Sequence, residues 1–256
     1  MGTTLLTGAT GILGSALQPR LADAGHTVRG TSRSPPGDGP ADEWVELGLP
    51  DDPTVDAAVD DADVVVHAAS DARGDHAAVD VRGTEQLLAA AEAADVSNFV
   101  YVSIVGIDDV PYSYYESKVA AEELVEASDV PHTIVRITQF HPFVDMFAGM
   151  VARLPVWPLP TTWQLQPIDV GEAADAIVEH ATMDAAGRVP DVGGPQVRTV
   201  GELATAYREA RGLRRPIVRL PVPGKTSRRL RDGELTCAER DVGTTTWETY
   251  LAHAYE

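Results

Sequence analysis

The chain of 256 residues carries one cysteine, Cys237. A single thiol excludes an internal disulfide framework and a cysteine-based metal cluster, and no metal is expected. Lysine is almost as scarce, occurring only at Lys118 and Lys225. Basic residues number 20 against 39 acidic ones, a net charge of −19. Such a field repels nucleic acid and anionic membranes, so neither is an expected partner. It also resembles the acidic surface of proteins from salt-loving microbes, and a halophilic source is the expectation. No apolar run approaches the roughly eighteen residues of a membrane span. The first residues lead straight into a strand pattern, so a soluble, cytoplasmic protein is expected.

Glycine, by contrast, is placed with purpose. The run Thr4-Leu5-Leu6-Thr7-Gly8-Ala9-Thr10-Gly11-Ile12-Leu13-Gly14 is a short apolar strand, a turn with glycines at 8, 11 and 14, and the start of a helical pattern. A strand delivering a Cβ-poor turn beneath a helix N-terminus suits a pyrophosphate, because free N–H groups and the helix dipole both favour an anion. Gly8 makes the turn, Gly11 admits the phosphate and Gly14 lets the helix pack closely. Leu13, Ala16, Leu17, Leu21 and Ala24 stripe a helix from Ile12 to Ala24, with Gly25 as its stop and a kink expected at Pro19.

The next strand, Thr27 to Ser32, ends in Gly30-Thr31-Ser32-Arg33-Ser34. An NAD-preferring fold places an acid here for the ribose 2′-hydroxyl. This segment offers hydroxyls and a guanidinium, whose planar fork can hold two phosphate oxygens. NADP(H) is therefore favoured over NAD(H), with Ser32 and Arg33 as ligands and Ser34 and Arg29 as lesser candidates.

Strand and helix signals alternate onward. Strands are expected at Trp44–Leu47, Val64–His67, Phe99–Ser103 and Thr133–Ile137. Helices are expected after Asp52-Pro53, around Val81 to Ala91, and over Tyr114–Ala127. Val64-Val65-Val66 lacks polar alternation, as a strand covered on both faces should. The rhythm predicts an α/β fold, a doubly wound parallel sheet of Rossmann type spanning 1–138. Residues 139–256 form a small C-terminal substrate-binding elaboration on the same core. There, Leu154–Pro160 reads as a loop wall, Ile168–His180 and Val200–Arg211 as helices, and Val189–Gly194 as a late strand and turn. The stretch from Arg211 to Arg231 is locally basic and is read as a solvated or acid-paired surface.

Tyr114 and Lys118 sit four residues apart on one helix face. An ammonium near a phenol favours the phenolate, so Tyr114 can exchange a proton with a substrate oxygen while Lys118 also bonds the nicotinamide ribose. With these residues the chain resembles a short-chain dehydrogenase/reductase of the extended or atypical type, including the sugar epimerase-like and NmrA-like proteins. The resemblance rests on Thr7-Gly8-Ala9-Thr10-Gly11-Ile12-Leu13-Gly14, His67-Ala68-Ala69-Ser70, Asp80-Val81-Arg82-Gly83-Thr84 and Val100-Tyr101-Val102-Ser103-Ile104-Val105-Gly106. Tyr114 with Lys118 and Ile168-Asp169-Val170 complete it. It implies that Gly8, Thr10, Gly11, Ile12, Leu13, Gly14, His67, Ala68, Ala69 and Lys118 hold the cofactor, and that the chain forms a homodimer through the helices flanking Tyr114.

The sequence departs from that family at three places. Ile104 and Val105 stand where a catalytic serine or threonine is usual, leaving Ser103 as the group to polarise a carbonyl. Asp80 replaces a helix asparagine, and Leu47-Gly48-Leu49 replaces an acid that contacts adenine. A substrate pocket is expected where the sixth strand ends, from Gln139, Phe140, His141 and Phe143, with Trp157, Trp163 and Gln166 opposite. The expected function is NADP(H)-dependent reduction of a small carbonyl or quinone-like substrate, with Tyr114, Lys118 and Ser103 as catalytic residues. A non-catalytic NADP(H) sensor and an assembly or scaffold factor are the alternatives.

Overall fold

A computed structural model describes residues 2–36, 39–239 and 242–256. The strands β1 (Thr3–Thr7), β2 (Thr27–Ser32), β3 (Glu43–Glu46), β4 (Val64–His67), β5 (Asn98–Ile104), β6 (His132–Ile137) and β9 (Gly187–Arg188) form one sheet in the order β3-β2-β1-β4-β5-β6-β9. Parallel register sets Leu5 beside Val65 and Leu6 beside Val66, all buried. Helices cover both faces of these strands, which is why consecutive residues are buried in each, Leu5 and Leu6 in β1 and Val64 to Val66 in β4. The expected doubly wound α/β fold is what the chain adopts. The order reverses at β1, whose neighbours are β2 and β4, and an open parallel sheet leaves a crevice at that point.

The chain divides into two compact units. The first comprises residues up to Ser103, Ser113–Arg136 and Ala173–Pro190. The second comprises Ile104–Tyr112, Ile137–Glu172 and the chain from Asp191 onward. A linear cut at 138 therefore misassigns α6 (Val170–Ala181) from Ala173 onward, together with β9, which returns to the first unit's sheet.

In the first unit, α1 (Ile12–Asp23) buries Leu13, Leu17 and Leu21 and runs on through Pro19. Gly25 ends it at φ 90°, its N–H donating to Ala22 O. The helix α2 (Val55–Val59) begins later than the Asp52-Pro53 signal suggests. Asp52 spends both carboxylate oxygens on the preceding turn, accepting from Gly48 N at 2.7 Å and Thr54 Oγ1 at 2.6 Å. A six-residue π-helical segment, Ala77–Arg82, precedes α3 (Gly83–Ala93), and the sequence pattern did not announce it.

Helix α4 (Ser113–Ala127) buries two charges, Lys118 and Glu122, among apolar positions. Glu122 is answered by Arg136 from β6, whose Nε and Nη2 donate at 2.9 and 2.6 Å. Arg188 on β9 adds a bond at 2.8 Å and also reaches Glu126. Burial opposes the Glu122 charge, yet these hydrogen bonds outweigh it and hold its carboxyl below the usual range. The network ties the helix to the last two strands of the sheet, β6 and β9.

The second unit has its own core, in which Trp157, Tyr207, Trp247, Leu203 and Leu251 pack together. The segment expected as a loop wall contains β7 (Trp157–Leu159), parallel to β11 (Ile217–Arg219), with Trp157 buried. Burial of the indole outweighs the prolines around it. A second small pair joins β8 (Gln164–Leu165) to β10 (Arg198–Thr199). Helices α5 (His141–Val151), α7 (Val200–Ala210), α8 (Lys225–Asp232) and α9 (Trp247–Ala254) complete the unit. In the basic stretch, Arg229 pairs with Asp109 and Glu234. No helix among the described residues is long and apolar enough to cross a membrane.

Removing one member of a buried ion network strands the others. Glu122→Gln should lower unfolding stability by about 3 kcal/mol, as breaking a buried pair does. Glu126→Gln, at a half-exposed position, should change it by less than about 1 kcal/mol. Chemical denaturation of both variants measures the contrast.

Candidate cofactor site

The turn between β1 and α1 is shaped by what it lacks. Gly8 has φ 67°, and a Cβ there would lie 2.8 Å from Ala69 N. A Cβ on Gly14 would collide with the Gly8 carbonyl oxygen, so the helix crosses the turn at backbone distance. On Gly11 a Cβ would meet only the Gly8 oxygen, at 3.1 Å, leaving the other side open. Gln18 steadies the turn from below, donating to Ala9 O at 2.7 Å. Gly11 is the N-cap residue, and no side chain caps the helix. Uncapped first-turn amides together with the helix dipole form an anion site.

Above the turn lies a groove of about 500 Å³ lined by Thr7, Gly8, Thr10, Gly11 and the Thr31–Ser34 segment, with Leu47, Leu49, Ala68–Asp71 and Val79 completing it. It occupies the crevice where the strand order reverses. Thr10 Oγ1 lies 3.3 Å from Ser32 Oγ, which also accepts from Ser34 N at 3.2 Å. The Arg33 side chain is exposed and makes no ion pair among the described residues. Arg29 is engaged instead, bonded to Glu43 and to the carbonyls of Ala58 and Asp60, which removes it as a ligand. Leu47 and Leu49, where an acid was missing, present an apolar wall.

His67 does not line this groove, contrary to the expectation. It is buried at the end of β4, with Nδ1 2.6 Å from Thr7 Oγ1 and Nε2 3.1 Å from Thr84 Oγ1. Thr84 donates its own proton to Asp80 O, so the ring donates from Nε2 and accepts at Nδ1. Burial, reinforced by the Lys118 charge, pushes its pKa down to about 3. The neutral ring fixes the strand end, and the Ala69 amide completes the junction by donating to Thr7 Oγ1 at 3.2 Å. Only Ala68 and Ala69 of the expected trio reach the groove.

The structure places Tyr114 and Lys118 on α4 as the spacing predicts, but their heads go to different partners. Lys118 Nζ donates to Val102 O at 2.8 Å, stands 3.6 Å from Asp80 Oδ1 and lies 4.1 Å from the Tyr101 ring centroid. Burial pulls its pKa down, while the Asp80 and Glu122 charges act against that shift. The half-buried Tyr114 has its hydroxyl 2.9 Å from Ser70 Oγ. Ser103 is buried and makes no well-formed hydrogen bond. It lies near the Glu122 carboxylate rather than in the groove lining, because that side of β5 faces the buried network.

Residues 8–142, more than half of the chain, match the family described as NAD(P)H-binding. The chain belongs to the NAD(P)H-binding family. A 3β-hydroxysteroid dehydrogenase/Δ5→4-isomerase from Mycobacterium tuberculosis is 34% identical over 161 residues, covering 50% of this chain and 43% of that protein. An uncharacterised protein from Mycobacterium bovis is 29% identical over 85% of this chain and 24% of its own length. The chain thus spans less than half of the curated relatives it matches. Among solved structures, an NADPH-dependent quinone oxidoreductase from Escherichia coli complexed with NADPH superposes with a TM-score of 0.82 at 16% identity, covering 99% of this chain and 100% of that one. A nucleoside-diphosphate-sugar epimerase from Staphylococcus aureus gives 0.80 at 18% identity, covering 98% and 100%. At these identities the likeness is one of fold.

The expected pocket residues all lie in the second unit, and the polar ones are committed there. His141 is buried in a cluster with the rings of Trp247 and Tyr250, at centroid distances of 5.7 and 5.1 Å, and its Nε2 bonds Thr245 O. Gln139 bonds Leu235 O and Gln166 N, and Gln166 bonds Gly194 O and Cys237 N. Trp163 donates to Ser227 Oγ at 2.9 Å. Each of these contacts holds the unit together. Sequence reasoning overlooked Ser70 and Asp71 in the groove. Their position immediately after His67-Ala68-Ala69, at a strand end beside the switch point, was the available signal.

The depressed His67 pKa has a consequence for stability. Between about pH 6.5 and about 3 the unfolded chain binds a proton that the folded one refuses. Stability is therefore complete above that window and falls as pH drops through it, by about 1.4 kcal/mol per pH unit for one such group. His141 and His26, lowered chiefly by burial, act in the same direction. Urea midpoints measured from pH 7 to 4.5 should decline, and His67→Gln should show a shallower slope than the parent.

Proposed function

We propose that this chain is an NADP(H)-dependent oxidoreductase that reduces a small carbonyl or quinone-like substrate, with Tyr114 as proton donor. The observation that carries the reading is the occurrence, in one unit, of an uncapped helix N-terminus at the sheet's reversal point and a tyrosine hydroxyl linked through Ser70 and Asp80 to a buried lysine. The fold shared with an NADPH-dependent quinone oxidoreductase and the partial match to a dehydrogenase support it.

The cofactor fits the residues present. Gly8, Gly11 and Gly14 leave a cradle that a Cβ would fill, and the first-turn amides of α1 meet a pyrophosphate. Leu47 and Leu49 suit the face of an adenine, while Ser32, Arg33 and Ser34 suit a 2′-phosphate. The chemistry such a cofactor brings is two-electron reduction. This chain supplies the rest: it orients the reactants and delivers a proton from the Tyr114 hydroxyl to the substrate oxygen. A sensor role is the second reading, favoured by Ser103 being enclosed near Glu122 instead of lining the groove.

Calorimetric titration with NADPH and NADH, in low and molar salt, should show tighter binding of NADPH, and Arg33→Ala should weaken NADPH binding while leaving NADH unchanged. Equal affinities in parent and variant would remove the phosphate assignment. Tyr114→Phe should keep NADPH affinity and lose turnover by about a hundredfold or more, as removal of a general acid does. A variant as active as the parent would leave the sensor reading in place.

A further inference from the structure

Tyr114 and Lys118 are joined by an intermediary. Ser70 Oγ lies 2.9 Å from the Tyr114 hydroxyl and 2.7 Å from Asp80 Oδ1, and Asp80 Oδ1 lies 3.6 Å from Lys118 Nζ. A carboxylate only accepts, so Ser70 gives its one proton to Asp80, and Tyr114 gives its own to Ser70. The chain of bonds therefore has a single direction.

We propose that Ser70 is the positioning residue for the Tyr114 hydroxyl, and that the Asp80–Lys118 ion pair is the fixed end against which Ser70 is held. The inference rests on Tyr114 being the proton donor. Three observations carry it. Ser70 is an exposed residue at the groove, where a serine would ordinarily face water, yet its hydroxyl is bonded on both sides. Asp80 is wholly buried with both oxygens engaged, Oδ2 accepting from Asp71 N at 3.2 Å. It also sits in the π-helical segment, a widened turn of the kind that recurs at functional sites, and its carbonyl is held by Thr84.

The arrangement also accommodates the proton transfer. When the Tyr114 O–H bond breaks and an O–H bond forms on the substrate oxygen, a phenolate remains. The Ser70 hydroxyl can turn from Asp80 to that phenolate, while Lys118 stays beside the carboxylate that loses the bond. A proton from water restores the phenol. The electrons come from the reduced nicotinamide of the proposed reaction, so no further reductant is required.

The test uses the full chain with NADPH and 1,4-benzoquinone as the probe substrate. Ser70→Ala should lower kcat about tenfold, the factor expected from one hydrogen bond, with the NADPH dissociation constant unchanged. Ser70→Thr should restore it. Without cofactor, a double-mutant cycle in urea with Ser70→Ala and Tyr114→Phe should show coupling, the double variant's unfolding constant differing about threefold or more from the product of the singles. An unchanged kcat in Ser70→Ala, no recovery in Ser70→Thr, or a cycle without coupling would each overturn the assignment. If Tyr114→Phe turns over like the parent, the proton-donor reading fails first, and the inference fails with it. The unfolding cycle, which needs no turnover, separately reports whether the hydroxyls are bonded.

Discussion

The close approach of α1 to the turn beneath it governs the first unit. Because Gly14 has no side chain, the helix rests on the Gly8 carbonyl and the Ala9 backbone, and its N-terminus is aimed over the end of β1. Gly8, held at φ 67°, turns the chain while leaving room for the Ala68–Ala69 backbone arriving from β4. Two strands and one helix thus meet at backbone distance where the sheet order reverses. A side chain at either glycine would push these elements apart and fill the crevice with protein. The groove exists because the packing beneath it is carried by main chain.

The buried charges of α4 pose the complementary problem. A helix that places Lys118 and Glu122 in the interior must answer each, since an unpaired buried charge costs far more than a hydrogen bond returns. Glu122 is answered toward the sheet edge by Arg136 and Arg188, and Lys118 toward the groove by Asp80 and Val102 O. One helix therefore carries a structural ion network on one turn and the base of a hydrogen-bonded hydroxyl chain on another. Ser103 lies with the former and Tyr114 with the latter, which explains why two residues read together from the sequence are separated in the structure.

The same economy shows in the treatment of polar groups near the groove. His67, Thr7 and Thr84 form a closed relay that pins the end of β4 and the backbone of Asp80. Against this fixed background, the side chain of Arg33 stands out as a cation without an ion pair among the described residues, in a chain of net charge −19. In so acidic a protein, a guanidinium beside two serine hydroxyls at a strand end is a local reversal of the prevailing field.

By itself the sequence determined the fold class, because alternating apolar runs and amphipathic stripes admit little besides a parallel sheet covered on both faces. It also determined the glycine turn, since the spacing of 8, 11 and 14 encodes backbone conformation and close approach directly. It placed Tyr114 and Lys118 on one helix, because four residues make one turn. What it left undecided was where polar heads would go. His67 reads as a groove residue in sequence, but burial and two threonines enclose it. Asp80 reads in the sequence as an aspartate in place of an asparagine, and only the tertiary structure shows it bonded to Ser70 and against Lys118. His141, Gln139 and Gln166 read as pocket candidates and are taken up by backbone groups and rings from segments 27 to 109 residues away. Local pattern fixes which elements form; the partners of a buried polar group come from distant parts of the chain, and only the folded arrangement brings them within hydrogen-bonding reach.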